Sequence, residues 1–179
     1  MPVRNMWSLE PGECIVAEEL TKKLPECELF FPLRDVGSDL LVVRKKSHIR
    51  IQVKESRYYY GKRNTWPSGH IGHSWHQIKE QKLRENLGQV DFFVFLTYLP
   101  VVAEHKISHF EYKYLVVPID EVTKRLSIKR PSKTYSFCFH FEDKLVWDER
   151  VKVPLTDPLS DYSQFLNDWS LVDSFLQSS

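Results

Sequence analysis

A single mixed α/β domain is what the sequence predicts, on three observations. The chain has 179 residues, enough to bury one proper core and short for two. Apolar residues at helical spacing occur near both ends, and between them lie segments that alternate or run continuously apolar, the marks of strands. One of these, "VDFFVFLTYL" from Val90 to Leu99, is apolar on both faces and suits the middle of a covered sheet. Hydrophobic residues make up 42% and charged residues 27%, which is neither a disordered nor a membrane composition.

The elements follow in order. "PGECIVAEELTKKL" predicts a first helix, with Pro11 and Gly12 at its start and Pro25 ending it. Val16, Ala17, Leu20 and Leu24 form one stripe of that helix, and Glu13 lies on the same stripe. Leu29 to Phe31 reads as a short strand, followed by a polar turn through Gly37, then Asp39 and a strand from Leu40 to Val43. The basic turn "RKKS" returns the chain into "HIRIQVKES", where Ile49, Ile51 and Val53 alternate with Arg50, Gln52 and Lys54. Two strands so close predict an antiparallel hairpin, with Asp39 opposite Val53 or Lys54 to within one residue.

"YYYGKRNTWPSGHIGH" has Gly and Pro punctuation and no period, predicting a loop. "SWHQ" has a capping-box pattern, predicting a helix from Ser74 to Leu87 with Gly88 past its end. After Val90–Leu99 come a strand at "YKYLVVPI", a helical turn at "DEVTKRL" and an alternating strand at "TYSFCFHFED" suited to an edge. Tyr162, Phe165, Leu166, Trp169, Val172 and Phe175 predict a C-terminal amphipathic helix, packed on its own domain. The region after Pro154 reads as a loosely attached extension.

No apolar run is long enough to span a bilayer, and "MPVRNMWSLEPGE" has no apolar stretch for a signal peptide. The expectation is a soluble, cytoplasmic protein. Cys14, Cys27 and Cys138 are scattered and odd in number. They predict three free thiols in a reducing compartment, with Cys14 a small buried residue, and neither a disulfide framework nor a structural zinc site.

Net charge is only +1, so its distribution matters more than its total. Arg44, Lys45, Lys46, Arg50, Lys54, Arg57, Lys62 and Arg63 face the lone acid Glu55 within one stretch. Such a stripe can hold a polyanion, or it can be a solvated face of a hairpin. Glu13 on the first helix, Asp39 at a strand start and Gln52 on the paired strand supply hard oxygen donors, to which the Val53 carbonyl could add. That set suits Mg²⁺ or Mn²⁺ better than zinc. Lys54 beside them is a cation able to activate a water or stabilise charge on a phosphate.

The patterns "GECIVAEEL", "GSDLLV" and "IQVKES" together resemble the PD-(D/E)xK nuclease superfamily, and within it small members related to archaeal Holliday junction resolvases. The resemblance covers roughly residues 11 to 125, leaving 126–179 as a C-terminal strand and helix extension of one nuclease-like domain. It implies a restriction-endonuclease-like core, a central mixed sheet flanked by helices. It implies Glu13 as the helix acid, Asp39 as the metal-binding aspartate, Gln52 at a position usually held by an acid, and Lys54 as the lysine. Two departures stand out: Ser38 replaces the proline before Asp39, and Gln52 removes a negative charge, which weakens metal affinity. The implied activity is Mg²⁺- or Mn²⁺-dependent hydrolysis of DNA phosphodiesters by a homodimer. A DNA-binding or assembly module that keeps the fold and cleaves weakly or not at all is the alternative.

Arg50, Arg57, Lys62 and Arg63 are the candidate phosphate contacts, positioning DNA without reading its sequence. The tyrosines of "RYYYGKRNTW" could stack on bases or be buried by a continuing strand. His70, His73 and His76 are three apart, but Gly69, Gly72 and the helix start at Ser74 break any shared face, and no nearby cysteine or acid completes a zinc set. No nucleophile elbow, P-loop or dinucleotide fingerprint is present.

Overall fold

A computed structural model describes residues 9–33, 37–60, 72–103 and 106–178. The mixed α/β architecture is as expected. A five-stranded layer runs β1 (Glu28–Phe30), β2 (Leu40–Arg44), β3 (Ser47–Tyr60), β5 (Phe92–Ala103) and β6 (Lys106–Pro118). β3 and β5 are parallel, and the other pairs in this layer are antiparallel. The far end of β3 passes into a second, antiparallel set: β4 (Gly72–Lys79), β7 (Thr134–Glu142) and β8 (Leu145–Asp148).

Among the described residues four α-helices accompany these strands: α1 (Pro11–Lys23), α2 (Glu80–Asn86), α3 (Ile119–Leu126) and α4 (Ser170–Ser178). Helix, hairpin, parallel strand and a strand ending at Pro118 follow one another along the chain. Among the described residues no helix is long and apolar enough to cross a membrane.

Two apolar cores lie on opposite faces of the layer. The first seats the α1 stripe of Val16, Ala17, Leu20 and Leu24 against Leu40, Val42, Ile49, Ile51 and Val53, with Trp169, Val172 and Leu176 from the C-terminal segment. The second is aromatic: Phe93, Phe95, Phe137, Phe139, Tyr162 and Phe165 pack with Ile78, Leu83 and Val122. Burying each large apolar side chain contributes roughly 1.5–3 kcal/mol.

Several expectations are corrected. Residues 74–79 form a strand, not the start of a helix. Ser74, His76 and Ile78 point into the second core while Gln77 and Lys79 are exposed, and pairing with β7 from Ser74–Phe139 to Lys79–Thr134 outweighs the capping-box pattern. The helix begins only at Glu80, whose N–H donates to Lys133 O (2.9 Å). β3 continues through Tyr60, so the tyrosines belong to a strand: Tyr58 is half-buried and Tyr59 exposed. β7 lies between β4 and β8 and is not an edge.

The C-terminal helix is shorter than its apolar spacing suggests. A 3-10 turn at Ser163–Phe165 comes first, and Asn167 then takes a left-handed φ of 55°, which asparagine tolerates. There its N–H donates to Tyr114 O (2.7 Å) and its Oδ1 accepts from Tyr114 N (3.0 Å). This pairing with β6 breaks the helix. The segment is also not loose, since Tyr162 and Phe165 enter one core and Trp169 and Val172 the other. Cys14 is exposed, contrary to expectation, because it sits beside the buried stripe of α1 and not on it; Cys138 is buried.

Candidate active site

The hairpin that carries the candidate residues is closed by a two-residue turn, Lys45–Lys46, between paired Arg44 and Ser47. Lys45 has φ 57°, and a positive φ at the first loop residue gives a twist that suits a hairpin. The β2–β3 ladder ends at Leu40–Ile51. Asp39, one residue beyond, donates its N–H to Ile51 O (2.8 Å). Its carboxylate then takes over where the ladder stops, with Oδ2 accepting from Val53 N–H at 2.8 Å. The same oxygen accepts from Gln52 Nε2. Asp39 thus lands beside Gln52 and Val53, within the one-residue margin that the turn allowed.

Ile51 and Val53 face the first core, so alternation turns Gln52 and Lys54 together onto the opposite face. Their neighbours on β5, Phe93 and Phe95, belong to the second core. Gln52 is 8% exposed, Lys54 and Asp39 are half-buried. Glu13 is buried in the first turn of α1, and that turn lies against β3: a Cβ on Gly12 would sit 2.5 Å from Glu55 Oε2. The absence of a side chain at Gly12 is what lets the helix start approach the strand just past Lys54.

A divalent cation fits this donor set in one respect. Gln52 Nε2, a partly positive N–H group, lies against Asp39 Oδ2 and 3.4 Å from Val53 O, so carboxylate and carbonyl oxygens already converge on one electropositive partner. A half-turn of the amide exchanges its nitrogen for its oxygen, converting that partner into a third oxygen donor. The set is lean in charge. Among the described residues no group of three or more His, Cys, Asp or Glu is placed to hold a metal.

The candidate phosphate contacts fare differently. Arg50 is engaged with the segment leading into β5: its backbone N–H donates to Asp91 Oδ2 (2.7 Å), Nε lies 3.4 Å from the same oxygen, and a terminal nitrogen donates to Gly88 O (3.0 Å). Arg57 is exposed at the distal part of β3. Lys62 and Arg63 lie outside the described residues, as does His70. His73 and His76 fall on opposite faces of β4, and neither faces a shared metal set.

The sequence gives one buried residue near the site no role. His76 is buried against the aromatic core, and burial holds its ring well below the ordinary histidine range, at about 3, with the Lys54 backbone opposing that shift and the Lys54 charge adding to it. The period-two pattern Ser74, His76, Ile78 was the available signal.

No family model matches the sequence, and no curated protein matches it. Two solved structures are similar to the chain. One is the bacterial homing endonuclease I-Ssp6803I, at 14% identity and a TM-score of 0.45, covering 90% of this chain and 86% of that one. The other is Hjc, a Holliday junction resolvase from Archaeoglobus fulgidus, at 11% identity and a TM-score of 0.38, covering 71% and 83%. Both likenesses are distant.

Proposed function

We propose that this chain is a divalent-metal-dependent endonuclease that hydrolyses DNA phosphodiesters. The observation that carries it is the cluster at the end of the β2–β3 ladder, where the Asp39 carboxylate, the Gln52 amide and the Val53 carbonyl converge, with Lys54 two residues beyond Gln52 on the same strand face. Asp39, Gln52 and the Val53 carbonyl would hold Mg²⁺ or Mn²⁺, with Glu13 at the adjoining helix start as a further acid. A bound cation supplies positive charge against the phosphodiester oxygens.

The chain's own residues do the rest. Asp39, fixed by the Val53 N–H, presents a carboxylate of set direction. Lys54 places an ammonium where charge develops on the phosphate, or holds the attacking water. Arg57, Lys62 and Arg63 position the DNA backbone by charge, with Arg50 shared between that task and Asp91. Two copies acting as a homodimer would let two sites address two strands.

Gln52 favours a second reading, a DNA-binding or assembly module, because it leaves the site one negative charge short. Plasmid nicking with Mg²⁺ or Mn²⁺ separates the two, comparing the wild type with Lys54→Ala and Asp39→Ala. Nicking lost in both variants while DNA binding persists supports the enzyme. Salt-sensitive DNA binding with no nicking by the wild type supports the module. Sedimentation of the free protein tests the homodimer.

A further inference from the structure

The second strand set carries a polar cavity in which the hydrolytic cluster has no share. It lies between the segment leading into β7 and the segment that follows β8, has a volume of about 340 Å³ and opens to solvent. Arg130, Ser132, Thr134 and Ser136 line one wall, Glu149 and Arg150 the other, and the buried Lys129 joins them. Thr134 and Ser136 pair with Lys79 and Gln77. The cavity is therefore at the far end of β4 from the Tyr58–Ser74 pair where β4 meets β3.

Both walls are held from within. Lys129 Nζ donates to Ser136 O at 2.8 Å and to Arg150 O at 3.3 Å, and it pairs with the buried Asp148 carboxylate. It thus ties one wall to the other, and Asp148 answers its charge. Asp148 Oδ1 also accepts from Arg150 N–H at 2.9 Å, so the Arg150 backbone is fixed on both sides. The Arg150 side chain lies over Trp75 of β4, its guanidinium carbon 4.8 Å from the ring centroid. A guanidinium stacked on an indole keeps its plane and loses less freedom when its forked N–H groups bind an anion. On the opposite wall Ser132 Oγ accepts from Thr134 N–H at 3.2 Å, which leaves its O–H to donate. A buried ion pair is by itself a weak source of stability; this one sets an arginine fork and a row of hydroxyls around one space. With Lys129 balanced, the lining sets Arg130 and Arg150 against Glu149, and the exposed Lys133 and Lys152 adjoin it in the chain.

We propose that this cavity is a phosphate-binding site, and that the group it takes is a DNA backbone phosphate remote from the bond being cut. Arg150 is the principal contact, a fork for two phosphate oxygens, with Arg130 and the Ser132 hydroxyl completing the set. The proposal rests on reading the chain as a DNA-binding nuclease. It extends that reading to the β4–β7–β8 set and gives the protein a second hold on the duplex, one that carries no sequence information.

Fluorescence anisotropy of labelled duplex DNA over a range of salt reads the number of phosphate contacts. Arg150→Gln should reduce the slope of log affinity against log salt by about one, alike for unrelated sequences. Arg150→Lys should keep the slope and bind more weakly than the wild type, because a point charge replaces the fork. Arg150 is exposed, so both variants should fold, and Arg130→Gln repeats the slope measurement on the other wall. Inorganic phosphate alone should shift the Thr134 and Ser136 amide resonances in the wild type and not in Arg150→Gln. Equal slopes for the wild type and Arg150→Gln overturn the proposal; if phosphate still shifts those resonances, the cavity serves a free anion and not DNA. A reduced slope without any phosphate response puts Arg150 on DNA outside the cavity and overturns the site. Wild-type affinity in Arg150→Lys overturns the forked contact. A wild type that binds DNA and never nicks sinks the nuclease reading alone, since the slopes need no cleavage. One that binds no DNA overturns both.

Discussion

The two faces of β3 are buried to a similar depth and filled with opposite chemistry. On one, Ile49, Ile51 and Val53 are at most 7% exposed and meet the aliphatic core under α1 and α4. On the other, Gln52 and Ser56 are scarcely more exposed, yet they lie beside a core that is mainly aromatic. Each has a partner brought from another element, Asp39 for Gln52 and the Trp75 N–H for Ser56. Leaving such a group unmatched costs roughly 1–3 kcal/mol. The apolar face therefore sets stability, and the polar face is tolerated only as a connected set, which is what a preorganised site requires.

Substitutions can break this contrast. The largest effect is expected on the apolar face, where Ile51→Ala should lower stability by about 2–5 kcal/mol in urea titration and leave nicking per folded molecule intact. A loss under about 1 kcal/mol would mean that the strand is not anchored there.

Acid probes the polar face next. His76 titrates at about 3 in the folded protein against 6.5 ordinarily, so between those values the unfolded chain binds the extra proton. Its contribution is complete above about pH 6.5 and is lost as pH falls toward 3, at up to roughly 1.4 kcal/mol per pH unit. Urea titrations at successive pH values should show this slope, and His76→Asn should flatten it.

Gln52→Glu sharpens the contrast at the site. It removes the donor to Asp39 and sets two carboxylates together, so stability without metal should fall by about 1–2 kcal/mol. Mg²⁺ should recover that loss in a thermal-shift measurement, more strongly than it stabilises the wild type. The smallest effect belongs to Gly12→Ala. The new Cβ would lie 3.1 Å from Glu55 Cβ as well as against its carboxylate, displacing Glu55 from the Tyr98 hydroxyl that donates to it. About 1 kcal/mol is expected from denaturant midpoints.

What the sequence disclosed depended on how local the signal was. The α1 stripe with Glu13, the β2–β3 hairpin and the continuous apolar strand at β5 were legible because each is written in consecutive residues. The β4 strand was not. "SWHQ" carries a genuine local helix signal, and only pairing with β7, about sixty residues away in the chain, outweighs it. β8 (Leu145–Asp148) went unnoticed for the same reason, being four residues long and defined by its partner. At the site, the convergence of Asp39 and Gln52 followed from spacing and turn length. His76 did not, because its place against Phe95 and Phe139 exists only once β4 has left the layer and folded over the aromatic core.

β3 is held in common by both strand sets, pairing with β2 and β5 along most of its length and with β4 at its end. Neither set can therefore open while the other stays shut, and hydrogen exchange should find the slowest amides of both governed by a single global event. The parallel β3–β5 ladder joins residues about forty positions apart, so assembly must wait on a distant contact, and refolding should be correspondingly slow.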